Sequence, residues 1–201
     1  HQAMQYFYIA DSAGPDYIIR KCGLNSDGSI SVCTVAANIG STDPANDLVF
    51  QTIGGHQYAY LVVNNGGSDG DVTLCRLNSN GGGNFICSSA TTGLTINWEM
   101  PSQIALTSFD GTTYAYVGDV GATDPDTGEP DAHVGQVYQC AVNNTDGTFS
   151  SCAAPVSTGA LGSSSLAIGK AGNGSQYLYI AGYSDEKIGR ASCRARVSSP
   201  V

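Results

Sequence analysis

Four copies of one aromatic strand, three cysteine-flanked hairpins and an almost complete lack of helical periodicity predict an all-β chain. They predict a β-propeller or a segment of one, with about three and a half four-stranded blades. The strand is written Tyr6-Phe-Tyr-Ile9, Tyr58-Ala-Tyr-Leu61, Tyr114-Ala-Tyr-Val117 and Tyr177-Leu-Tyr-Ile180, at spacings of 52, 56 and 63 residues. At that period a repeat is one small antiparallel sheet, and the packing of one sheet on the next supplies the core. Twenty-six glycines, eleven tyrosines and only 12% charged residues in 201 suit short strands joined by turns within one domain.

The hairpins come first because they fix the pairing. Asp27-Gly28 lies midway between Cys22 and Cys33, where a two-residue type I′ turn is expected. Cys75 to Cys87 and Cys140 to Cys152 are one residue longer, so a three-residue loop is expected, with Gly82 or Gly147 last and left-handed. In all three the cysteines then oppose each other across an antiparallel ladder, within disulfide reach. The alternatives are buried free thiols or a metal site. Zinc fits poorly, because its cysteines usually stand two to four residues apart and histidine is scarce. Each bridge would close a short loop and stabilise by roughly 2 to 3 kcal/mol. Three bridges imply an oxidising compartment, hence a secreted or cell-surface protein.

Strand-like runs at 48–53, 103–109 and 165–170 precede the second to fourth aromatic strands, with Gly54-Gly55, Asp110-Gly111 and the glycines at 172–174 as the intervening turns. Each repeat therefore orders its strands a (these runs), b (Tyr-x-Tyr), c and d (the cysteine hairpin). The expected blades are 6–47, 48–101, 102–164 and 165–187 onward. Pro101-Ser-Gln-Ile-Ala-Leu106, Asp110-Gly-Thr112 and Tyr114-Ala-Tyr-Val117 resemble the YVTN-type repeats of bacterial and archaeal surface propellers. The likeness runs through nearly the whole chain, and the cysteine hairpins make it look like a secreted, disulfide-bearing variant. What the resemblance implies is a propeller fold and a surface location. Such repeats serve adhesion and scaffolding and, in related propellers, lactone hydrolysis.

The repeats do not complete a ring on their own. The first begins at strand b and the fourth stops soon after strand c. A four-bladed ring with one thin blade, a fragment of a longer propeller and half of a seven-bladed ring made by dimerisation all fit. An incomplete end blade leaves an open edge that invites another chain. Residues 188–201 are an incomplete last blade or a non-native tail. Ile188-Gly-Arg-Ala-Ser-Cys-Arg-Ala-Arg-Val197 resembles the translation of a common sequencing adapter, whereas Cys193 stands sixteen residues after Tyr177, as Cys22 does after Tyr6. Cys193 is in either case the odd cysteine. His1 reads as a mature N-terminus or a tag remnant.

A net charge of −9 repels nucleic acid and anionic membrane, and no apolar run approaches the length of a membrane span. The acidity gathers on the b to c loops, where a propeller usually binds: Asp11, Asp16, Asp69, Asp71, Asp185, Glu186 and the insertion 119–133. Within that insertion Asp119 is a candidate ligand contact, and Asp124, Asp126, Glu129 and Asp131 suit a hard cation such as Ca²⁺. The alternative is a solvated acidic turn. Trp98, the single tryptophan, and its neighbour Glu99 lie in a d to a loop, where the ring could stack on a sugar. Alternatively Trp98 plugs the space between two blades. The paired tyrosines read as inter-blade packing. No Gly-x-Ser-x-Gly elbow occurs, and the three histidines do not make a copper brace or a triad. The sequence thus predicts an extracellular binding or surface-structural module, calcium-assisted, with a glycan or cell-surface polymer as partner. A metal-dependent lactonase-like hydrolase and a self-assembling subunit joined through incomplete end blades are the alternatives.

Overall fold

The computed structural model describes residues 5–11, 17–39, 44–64, 70–78, 82–96, 98, 100–120, 135–158, 163–172, 175–182 and 195–196. Among them there is no helix, and strands make four antiparallel sheets in chain order. Blade 1 is β1 (Tyr6–Asp11), β2 (Ile18–Leu24) and β3 (Ile30–Asn38). Blade 2 is β4 (Ala45–Ile53), β5 (His56–Val63), β6 (Asp71–Leu77) and β7 (Phe85–Ser89). Blade 3 is β8 (Pro101–Phe109), β9 (Thr112–Asp119), β10 (Gln136–Val142) and β11 (Phe149–Cys152), with the short β12 (Val156–Ser157) also on β10. Blade 4 is β13 (Ser163–Lys170), β14 (Gln176–Gly182) and β15 (Ala195–Arg196).

The a to b connections of blades 2 and 3 are two-residue turns. Gly54 and Gly55, and Asp110 and Gly111, all take positive φ (56°, 80°, 47° and 80°), the I′ pattern whose twist matches the flanking strands. Asp110 is the single non-glycine residue with positive φ among those described. All three a strands carry a bulge at their second residue, between Ala45 and Asp47, Pro101 and Gln103, and Ser163 and Ser165. A bulge repeated at one position bends each a strand alike.

The three disulfides form as spaced, Cys22–Cys33, Cys75–Cys87 and Cys140–Cys152, each between residues opposed in register. The loops that join them are longer than expected. Asn25 closes on Ser29 around 26–28, Asn143 on Thr148 around 144–147, and Asn78 on Asn84 around 79–83. Asp27 therefore does not enter a I′ turn. Its Oδ1 instead accepts from Ser29 N and Oγ (2.9 and 2.6 Å), leaving Gly28 alone at positive φ. Those two hydrogen bonds hold the exposed Asp27 carboxyl below the usual range, and Thr148 does the same to Asp146 in the third loop. In the second loop Gly83, rather than Gly82, is left-handed (φ 68°). Register shifts within the first and third hairpins keep the cysteines opposite each other despite the longer loops.

Successive blades pack face to face. Among the described residues, one apolar cluster joins blades 1 and 2, a larger one blades 2 and 3, and a third blades 3 and 4. The Tyr-x-Tyr strand explains the repeat. Tyr58 and Tyr60, both fully buried, grip the hairpin glycine of the next blade, where Tyr60 Oη donates to Gly147 O at 2.6 Å. A Cβ at Gly147 would lie 3.1 Å from Tyr58 Cδ1 and 3.1 Å from Tyr60 Oη, so the clamp needs glycine there as well as its φ of 79°. Blade 1 repeats the arrangement: Tyr8 Oη donates to Gly83 O at 3.3 Å, and Tyr6 packs beside the same glycine.

Candidate functional site

Of the residues expected on the b to c and d to a side, the described ones, Asp11, Asp71, Trp98 and Asp119, are engaged within the fold. Trp98 is 3% exposed and sits in the cluster between blades 2 and 3, edge-on to Tyr138 and Phe149. Its ring occupies the inter-blade position and offers no face to a sugar. Asp119 is also buried and accepts from Met100 N at 2.8 Å, so it fastens the entry to β8 to the end of β9. Asp71 accepts from Thr91 Oγ1 at 2.9 Å, and Asp11 pairs with Arg20. These carboxylates tie strand ends together, a use that counting charge along a loop does not reveal. Glu99, Asp124, Asp126, Glu129 and Asp131 lie outside the described residues. Among the described residues no cluster of three or more His, Cys, Asp or Glu is placed to hold a metal.

Among the described residues, a cavity lies on the opposite rim, between blades 1 and 2. Its volume is about 430 Å³, and Gln5, Tyr6, Tyr8, Leu24, Gln57, Leu77, Asn78 and Gly83 line it. Strand order puts these residues together: Gln5 and Tyr6 open β1, Gln57 opens β5, Leu24 and Leu77 end β2 and β6, and Gly83 belongs to the second cysteine hairpin. Between blades 2 and 3 the same rim is filled. There the Gly54-Gly55 turn abuts the next hairpin so closely that a Cβ at Gly54 would lie 2.7 Å from Asn144 O. Between blades 1 and 2 the corresponding space is open.

Tyr6 and Tyr8 form the aromatic wall, with ring centroids 6.1 Å apart and planes tilted by 50°. Tyr8 is wedged edge-on against Phe85 (5.1 Å) and beside Phe50 (5.3 Å). Burial, and secondarily Tyr6, pushes its hydroxyl above the usual tyrosine range, so Tyr8 stays neutral at physiological pH. Lys21 holds Tyr6 from outside. Its ammonium donates to Gly82 O and, at 2.6 Å, to Asn84 Oδ1, and it stands 5.7 Å from the Tyr6 ring centre. The polar lining consists of three amides, Gln5, Gln57 and Asn78, and each amide can both donate and accept. No carboxylate, imidazole or ammonium belongs to the lining.

Sequence reasoning assigned these tyrosines to packing and passed over the amides. A signal was present. Glutamine precedes the aromatic strand at 5, 57 and 176, which places an amide on the same rim in three repeats. In blade 4 that amide is engaged, since Thr107 Oγ1 donates to Gln176 Oε1 at 3.0 Å.

No family model matches the chain, and no curated protein matches it by sequence. Among solved structures it is similar to the endo-arabinase from Bacteroides thetaiotaomicron VPI-5482, with a TM-score of 0.54 and 12% sequence identity. The match covers 92% of this chain and 67% of that one. At that identity the likeness speaks to the fold alone, and it agrees with an all-β, propeller-like architecture.

Proposed function

We propose that the chain is an extracellular, disulfide-bonded propeller module that binds carbohydrate in the groove between blades 1 and 2. The observation that carries this reading is the lining itself: two tilted tyrosine rings beside three uncharged amides in about 430 Å³. That volume falls in the range of small-ligand sites. Sugars present apolar C–H faces, which pack on aromatic rings, and hydroxyls that donate and accept together, which amides match without the cost of desolvating a charge. The endo-arabinase likeness in fold accords with a carbohydrate ligand. Three disulfides favour an oxidising compartment outside the cytosol.

The lining also favours binding over turnover at this groove. Glycoside hydrolysis ordinarily uses two carboxyl groups flanking the bond, and this groove presents none. For the same reason binding here should survive chelation of calcium. The test is a glycan array followed by calorimetry on any hit, with and without chelator. Gln57→Ala, at an exposed position, is expected to weaken binding by about two- to tenfold, the worth of one or two hydrogen bonds. Tyr6→Ala is expected to weaken it further. Finding no glycan ligand, or a ligand whose affinity neither substitution changes, would remove the groove as the site.

A further inference from the structure

Two polar groups at the groove are already committed within the protein, and what they leave over decides the kind of ligand that fits. Tyr8 lines the groove, and its hydroxyl gives its one proton to Gly83 O at 3.3 Å. Toward the groove the same oxygen can only accept. Burial keeps that oxygen in its neutral form, so it calls for a neutral donor rather than a cation. A ligand that meets Tyr8 must therefore bring an O–H or N–H of its own. An ether or a carboxylate at that place would displace water from the acceptor and return no hydrogen bond.

Lys21 stands beside this wall, and its ammonium is committed as well. It donates to Gly82 O and, at 2.6 Å, to Asn84 Oδ1, and it lies 5.7 Å from the centre of the Tyr6 ring. These bonds tie β2 to the second cysteine hairpin, whose Asn78 and Gly83 line the groove. To serve a ligand carboxylate or sulfate, the ammonium would have to leave two acceptors and an aromatic face. The net charge of −9 opposes an anion further. Gln5 and Gln57, by contrast, are exposed amides in the lining that donate and accept without carrying charge.

We propose that the groove takes a neutral sugar and reads it through a free hydroxyl that donates to Tyr8 Oη. This rests on the carbohydrate reading above and narrows it. Uronic and sulfated sugars are disfavoured by charge, and a sugar without a donor at that one position is disfavoured by the acceptor it leaves unpaired. Tyr8 is then both the residue that grips Gly83 and the residue that selects the ligand.

The test is calorimetry on the full oxidised chain. The probes are trisaccharides of neutral hexoses and pentoses, the trisaccharide of galacturonic acid, and the singly deoxyfluorinated forms of the neutral trisaccharide that binds most tightly. Fluorine takes the place of a hydroxyl at about its size but cannot donate. A neutral trisaccharide is expected to bind, with an affinity that changes less than about twofold between about 50 and 500 mM salt. The galacturonate is expected to bind at least about tenfold more weakly. Fluorine at one position should weaken binding about two- to tenfold in the wild type and cost nothing further in Tyr8→Phe, because both changes break the same hydrogen bond. A fluorine effect that persists in full in Tyr8→Phe overturns the proposal. Should Tyr8→Phe fail to fold, the wild type alone still decides, since tolerance of fluorine at every position overturns it. A galacturonate affinity equal to or above the neutral one does so as well, and its loss in Lys21→Gln would show the ammonium serving the ligand. In each of these cases binding that still falls in Gln57→Ala leaves the groove as the site. If no trisaccharide binds, the groove reading falls and this inference with it.

Discussion

Replacing the hairpin glycines by alanine separates what the backbone requires from what the tyrosine clamp requires. Gly28, Gly83 and Gly147 share a left-handed φ (82°, 68° and 79°), so a Cβ costs each about 1 to 2 kcal/mol in backbone strain. Their surroundings differ. At Gly147 the Cβ would press on Tyr58 and Tyr60, two fully buried rings that have no room to retreat, adding about 1 to 3 kcal/mol of overpacking. At Gly83 it would meet Tyr6 at 3.1 Å, but Tyr6 borders the groove and can swing into it. At Gly28 it would meet nothing. The expected losses are therefore about 1 to 2 kcal/mol for Gly28→Ala, somewhat more for Gly83→Ala, and about 2 to 5 kcal/mol for Gly147→Ala. Urea unfolding of the oxidised protein measures them. Far-UV circular dichroism follows the sheets, and Trp98 fluorescence follows the boundary between blades 2 and 3. Equal losses at Gly28 and Gly147 would refute the clamp and leave only the turn.

Tyr60→Phe removes the hydroxyl that donates to Gly147 O in a buried site, with an expected cost of about 1 to 3 kcal/mol in the same assay. Burial raises the Tyr60 pKa well above its unfolded value, so the stability held by its neutral form is complete below about pH 10 and is lost as pH climbs further. Alkaline unfolding should therefore be less steep in Tyr60→Phe, which an absorbance titration at high pH would show. The double change Cys140→Ser with Cys152→Ser should cost about 2 to 3 kcal/mol, read as a lower thermal midpoint that reductant no longer shifts at that hairpin. Trp98→Ala should cost about 3 to 5 kcal/mol while leaving glycan affinity unchanged, because the ring packs against Phe149 and Tyr138 rather than lining the groove.

The strands and disulfides were legible because both rest on short-range regularities. Tyr-x-Tyr alternation marks a half-buried strand, and cysteines spaced around a turn mark opposed positions. The turns were legible only in part. Asp27-Gly28 has I′ chemistry, but Asp27 gains two hydrogen bonds to Ser29 by staying out of the left-handed region, and the hairpin lengthens to suit. On the acidic side, charge along a loop did not reveal that Asp71 and Asp119 turn inward to satisfy a loop hydroxyl and a backbone N–H. The groove was illegible because residues 52 positions apart in sequence, Gln5 and Gln57, meet only when two blades face each other.

One recurring element underlies both the clamp and the groove. The tyrosine pair is buried to the degree that the next blade fills the space before it. Where an a to b turn and a hairpin both close in, as between blades 2 and 3, Tyr58 and Tyr60 are fully buried and the pair is purely structural. Between blades 1 and 2 the pair is half covered and walls a cavity of ligand size. In blade 4 the equivalent Tyr179 is 47% exposed. It follows that the groove and the clamp can be altered separately. Gln57→Ala should weaken binding without changing the boundary between blades 2 and 3, and Gly147→Ala should do the reverse. A chain in which either substitution disturbed both would show that the blades do not pack independently.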